Sequence, residues 1–347
     1  MHRRLALLST LTLVAGSAAL LLPAGGAQAD TRLAAQVAVQ ASVRPKPAQH
    51  AAADSASEQR QVLTYWTERK MEAAQPLDAP KPGNGPAADA GQPGEPTEGT
   101  PWTAPPTGAP GGGVGLQSAR SPGEPWTGGG TVVRTTGRIF FTTQGRNASC
   151  SGSAVTSANK SVVLTAGHCV KLNGAFHTNW VFVPGYNAGN RPFGTWPATR
   201  LLTTQQWNAG EDIGFDVAAA VVAPLQGKTL VDAVGGQGVA FNQSRRQQMY
   251  AFGYPAAAPY DGSKLIYCSG RTFDDFLLTN DLGLTCNMTG GSSGGPWMLN
   301  FNESTGLGTQ NSVNSFKYNF AANWMFGPYF GNEAQAVYQA AQTTGAL

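Results

Sequence analysis

The chain of 347 residues is long enough for one large domain or two ordinary ones. Its 44 Gly and 23 Pro make up about a fifth of it, where roughly 12% is usual, so part of it is not expected to form a packed globule. Charged residues are only 12% and the net charge is +3, which excludes a dense basic field for tracking phosphates and an acidic disordered chain. Four cysteines are too few for a small disulfide-dense scaffold.

Residues 1–29 read as a signal peptide. Arg3 and Arg4 precede an uncharged, mostly apolar run from Leu5 to Leu22, and Ala27-Gln28-Ala29 matches a small-residue cleavage site before Asp30. No second apolar run of spanning length follows. The expectation is a secreted, extracellular protein without a membrane anchor after cleavage, in a compartment where cysteines pair.

Residues 30–130 are rich in Ala, Pro and Gly and hold no cysteine. One helix is expected between Ser57 and Ala74, with Ser57 as its cap and Val62, Tyr65, Trp66 and Arg69 at helical spacing. The remainder, with Pro105-Pro106 and Gly111-Gly112-Gly113, is expected to be mostly disordered, because ordering it costs more chain entropy than it can recover by burial. The segment reads as a propeptide or linker, with Arg120 as a trimming point.

Residues 131–347 change character. Short apolar runs at Arg138, Ser161, Trp180, Asp216 and Gln248 are bounded by Gly, Asn or Pro, the pattern of many short antiparallel strands in a sandwich or barrel. One helix is expected over Asn332 to Gln342, with Ala334, Val337, Tyr338 and Ala341 on one side.

Three positions carry the chemistry. Gly291-Ser292-Ser293-Gly294-Gly295-Pro296 lets backbone N–H groups approach a reacting carbonyl beside a serine hydroxyl. Leu164-Thr165-Ala166-Gly167-His168-Cys169 supplies an imidazole, the natural base for that hydroxyl. His177, with no motif around it, is expected to be a partly exposed loop or strand histidine. Chain order then restricts the acid. No histidine follows Ser293, and no Asp or Glu lies between Glu124 and Glu211. An order of Ser, acid, His therefore fails, and so does acid, His, Ser unless the acid comes from residues 30–130; His, acid, Ser remains.

Thr165-Ala166-Gly167-His168-Cys169 and Gly291-Ser292-Ser293-Gly294-Gly295-Pro296 resemble the two signature motifs of the chymotrypsin/trypsin-like serine proteases, and Cys150-Ser151-Gly152-Ser153 also fits. The likeness covers residues 131–347 and leans toward bacterial extracellular members, including the glutamyl-endopeptidase-like branch. It implies two six-stranded antiparallel β-barrels with a short C-terminal helix. It implies His168 as general base, Ser293 as nucleophile and Asp216 as the orienting acid, with Asp212 as the rival. The N–H groups of Gly291 and Ser293 would form the oxyanion hole. Asp232, Asp261, Asp274, Asp275 and Asp281 are expected to be solvated loop charges. A Cys150–Cys169 bridge follows from the resemblance, and Cys268–Cys286 by remainder.

The implied reaction is peptide-bond hydrolysis through an acyl-enzyme, on protein or peptide substrates, by a monomer. It requires no metal or organic cofactor. Ser292 stands where many relatives place an aspartate, which removes the usual N-terminal activation switch. Asn287, six residues before Ser293, replaces the aspartate of an Arg/Lys-selective pocket, and the pocket histidine of glutamyl endopeptidases has no counterpart after Ser293. Asn287, Val313, Asn314 and Ser315 are expected to line a polar, uncharged pocket. The competing readings are a protease-fold binding protein without activity and a secreted esterase on the same residues.

Overall fold

The computed structural model describes residues 45–77, 94–108 and 120–346. The signal peptide expected over residues 1–29 lies outside them. The first half of residues 131–347 is a closed barrel. Its six strands follow the order Trp196–Thr203, Thr178–Pro184, Thr136–Thr143, Arg146–Val155, Val162–Thr165 and Ala218–Val222, and the last pairs back onto the first. All these pairings are antiparallel.

The apolar runs found in the sequence become strands because their side chains alternate between two buried faces. Ile139, Phe141, Trp180 and Phe182 point into the barrel core. Phe140, Val181 and Val183 point outward, into a second cluster that also holds Phe252, Tyr254, Tyr267 and Met298 from the other half. That cluster joins the two halves.

In the second half a seven-stranded sheet has the order Trp102–Ala104, Gly238–Phe241, Leu307–Val313, Pro296–Asn302, Gln248–Gly253, Ile266–Arg271 and Ser121–Pro125. A three-stranded sheet holds Phe273–Asp274, Leu282–Thr285 and Trp324–Gly327. The C-terminal helix spans Asn332–Thr343, and its Ala334, Val337, Tyr338 and Ala341 are buried in an apolar cluster that takes side chains from the closed barrel and from Val239, Phe241 and Phe330 of the second half. Disulfides Cys150–Cys169 and Cys268–Cys286 are both present. Among the described residues no helix is long and apolar enough to cross a membrane.

The region before residue 131 differs from its expected disorder wherever it is described. Ala48–Ala51 pairs with Trp196–Thr203. The single expected helix is two, Ala56–Tyr65 and Glu68–Glu72. Ser55, rather than Ser57, caps the first in a reciprocal box with Glu58. Trp66, Met71 and Ala74 are buried in the second cluster. Gln75–Pro76 pairs in parallel with Ala148 and Ser149. Trp102–Ala104 and Ser121–Pro125 form the outer strands of the seven-stranded sheet. Composition does not reveal these described pieces, because they build no core of their own. They dock on open strand edges and apolar surface that the barrels supply.

Candidate active site

Strand register creates the His–Asp contact. Ala218–Val222 pairs with Val162–Thr165 so that Ala218 lies opposite Thr165. The residues just before Ala218 and just after Thr165 therefore meet at one end of the barrel. His168 sits there on the short turn Gly167–Cys169, fully buried. Its Nδ1 is 2.7 Å from Asp216 Oδ2, and its backbone N–H donates to Asp216 Oδ1 at 2.8 Å. Ser315 Oγ donates to Asp216 Oδ2 at 2.5 Å. Asp212 does not reach this network. Its oxygens accept from the N–H groups of Gly94 and Gly214, at 2.8 and 3.2 Å, and burial raises its pKa.

Ser293 lies on a loop pressed against the same barrel end. Ser151 N–H donates to Ser293 O at 2.8 Å, and Gly294 N–H donates to Asn314 O at 2.7 Å. Gly294 has φ +79°, and a Cβ there would press into Thr165 Oγ1 and Ser151 O. Gly291, at φ +90°, likewise takes a conformation that favours glycine. Ser292 turns its hydroxyl inward to Thr289 O at 2.7 Å.

The site is covered. Leu77 O accepts from Gly291 N–H at 3.4 Å and from Ser293 Oγ at 3.5 Å. His168 Nε2 is buried and has no hydrogen-bond partner.

The expected pocket residues separate. Ser315 contacts Asp216, as above. Val313, at the end of its strand in the seven-stranded sheet, is fully buried. Asn314 is buried too: its amide donates to Phe252 O and Ser292 O, and its oxygen accepts from Trp297 Nε1. It thus braces the serine loop with every polar atom engaged. Asn287 is half-buried, its Oδ1 accepting from Tyr260 Oη at 2.6 Å and its N–H donating to Pro122 O at 2.7 Å.

Several groups differ from their sequence-based expectations. His177 is buried rather than partly exposed, because its ring stacks on Phe141 at 4.3 Å and its Nε2 lies 2.9 Å from His168 O. Burial pushes its pKa down to about 4. Asp275 and Asp281 are buried rather than solvated. Asp275 accepts from Thr279 and Tyr318. Neither Asp281 oxygen has a hydrogen-bond partner, and burial beside other carboxylates holds its pKa well above the usual range. Lys317, unremarked in the sequence, donates to Cys286 O and Ala322 O at 2.8 and 2.6 Å, next in the chain to Asn287 at the first of these carbonyls. Burial without an anion lowers its pKa to about 8. No local pattern signals a lysine of this kind, since its partners come from other segments.

Among the described residues one grouping has metal-ligand proximity, Cys150, His168 and Cys169. Both sulfurs are consumed by the disulfide, so neither is a thiolate ligand.

No protein-family model and no curated protein matches the sequence. Solved structures do match. The protease Anisep from Arthrobacter nicotinovorans is 45% identical, with a TM-score of 0.57 over 61% of this chain and 96% of that one. The thermostable serine protease AL20, from an extremophilic microorganism, is 44% identical, with a TM-score of 0.59 over 62% and 100%. A Glu endopeptidase is 15% identical, with a TM-score of 0.50 over 66% and 99%, a likeness of fold alone. The chain belongs to the chymotrypsin-like serine proteases. Its link to the glutamyl-specific branch is distant.

Proposed function

We propose that the chain is a secreted serine endopeptidase, made as a zymogen, in which His168, Asp216 and Ser293 act together. The observation that carries this reading is the buried His168–Asp216 contact, with Nδ1 held and Nε2 free to accept a proton. Ser293 Oγ forms a bond to the substrate carbonyl carbon while His168 Nε2 takes its proton. The oxyanion is held by the N–H groups of Gly291 and Ser293. The C–N bond then breaks, and His168 delivers its proton to the leaving amine. Water attacks the resulting ester, again with His168 as base, and the proton returns to Ser293 Oγ. Asp216 fixes the tautomer that presents Nε2 and stabilises the imidazolium. Two disulfides and the likeness to Anisep and AL20 support export and action on protein or peptide substrates.

The test is active-site labelling of the processed protein with a fluorophosphonate. Wild type is expected to label, while Ser293→Ala and His168→Ala are not. Equal labelling of wild type and Ser293→Ala would remove Ser293 from the role. Turnover of a peptide library against short-chain esters then separates endopeptidase from esterase.

A further inference from the structure

Residues 45–77 follow a continuous path from the far edge of the closed barrel to the nucleophile. They begin as a strand on Trp196–Thr203, with Ala48 opposite Thr203 and Ala51 opposite Arg200. They cross the barrel's outer face as the two helices. Trp66 anchors that crossing: it is 2% exposed, packs on Phe140 at 5.6 Å, and donates from Nε1 to Asn179 O at 2.5 Å. Met71 and Ala74 are buried behind it. Gln75–Pro76 then lies parallel to Ala148–Ser149, and Leu77 N–H donates to Ser149 O at 3.0 Å. The chain arrives with the Leu77 carbonyl between Gly291 N–H and Ser293 Oγ.

We propose that residues 45–77 are a built-in inhibitor that binds this chain's own active site through the Leu77 carbonyl. The proposal rests on the reading of Ser293 as nucleophile. Nucleophilic attack needs the hydroxyl proton on His168 Nε2 and an oxygen lone pair aimed at a carbonyl carbon. Here the hydroxyl donates to the carbonyl oxygen instead, and His168 Nε2 is left without a partner. The Leu77 oxygen also takes the Gly291 donor that a developing oxyanion would need. The segment thus takes a donor that a substrate would need and draws the serine hydroxyl away from His168, as an inhibitor does. The two contacts at the site are long, 3.4 and 3.5 Å, so they do not hold the segment by themselves. The holding comes from the remote anchors at Trp66, Met71 and the first strand, which keep the carbonyl at high effective concentration. An inhibitor built this way is released by loosening its anchors, without any change at His168, Asp216 or Ser293.

The test measures the rate of fluorophosphonate labelling of the full chain at Ser293. Two variants leave the three reacting residues intact. Trp66→Ala removes the main anchor, and Leu77→Pro removes the N–H that bonds Ser149 O. Each is expected to label at least about ten times faster than wild type, with near-ultraviolet circular dichroism confirming native packing. A synthetic peptide of residues 45–77 is expected to slow labelling of both variants, while a scrambled peptide does not. Full-chain wild type labelling as fast as Leu77→Pro would overturn the inhibitor. So would N-terminal sequencing that found the Leu77–Asp78 bond cut as quickly as the protein labels, which would make the segment a substrate. Absence of Ser293-dependent labelling in every form, peptide-free variants included, would instead overturn the reading of Ser293 as nucleophile and the inhibitor with it.

Discussion

Asp216 accepts three hydrogen bonds, from His168 N–H, from His168 Nδ1 and from Ser315 Oγ. Its chemistry is therefore directional, and Asp216→Asn presents an N–H donor where an acceptor is needed. The histidine then favours the wrong tautomer, and kcat on a peptide substrate is expected to fall about ten-thousand-fold with KM little changed. A fall of less than about ten-fold would return the role to Asp212. His177 gives a second prediction at this scale. Its pKa is lowered by burial from an ordinary value near 6.5 to about 4, so the folded state disfavours the charged ring. Its contribution to stability is complete above about pH 6.5 and is lost as pH falls toward 4, on the order of 3 kcal/mol in all. His177→Phe is expected to flatten that limb of a urea-unfolding pH series, and an unchanged limb would place the titration elsewhere. The residue types and their order were enough to single out His168 and Ser293, because glycines flank both and few histidines compete. They could not separate Asp216 from Asp212, which are alike in type and four residues apart. Backbone donors from Gly94 and Gly214 make that distinction, and Gly94 is remote in sequence.

At the scale of elements, the serine loop and the disulfides depend on close approach. Gly294→Ala is expected to abolish labelling and to destabilise the fold by several kcal/mol. Its φ of +79° is unfavourable for alanine, and the added methyl meets Thr165 and the Ser151 carbonyl. Thermal unfolding beside wild type checks this, and a near-native melting temperature would contradict it. Cys150–Cys169 closes a loop of sequence separation 19 beside His168. Replacing both cysteines with alanine is expected to cost about 3 kcal/mol, read as a lowered urea midpoint. The strands of the closed barrel were legible as apolar runs, and the C-terminal helix as a spaced apolar face. Ala48–Ala51, Gln75–Pro76 and Ser121–Pro125 were not legible, since sequences such as Ser121-Pro122-Gly123-Glu124-Pro125 lack strand propensity. They are strands because an exposed edge accepts nearly any backbone that reaches it.

At the scale of the whole molecule, the region before residue 131 is tied to both halves. Trp66, Met71 and Ala74 fill the cluster between them, and Thr97 N–H and Oγ1 donate to Glu333 on the C-terminal helix. After a cut at the exposed Arg120, the fragment containing residues 45–77 is expected to stay bound to the protease region. The two should co-elute in gel filtration and separate only in denaturant. Elution of the free fragment under native conditions would mean that these contacts are too weak to hold it. The sequence by itself determined the proposed reacting residue types, their order along the chain and the strand-rich character of residues 131–347. Those follow from local chemistry and local spacing, which a linear chain displays. Only the tertiary structure decided which aspartate meets His168, which buried charges go unpaired and where residues 45–77 lie. Each of these depends on a neighbour brought from a distant position by strand register and packing.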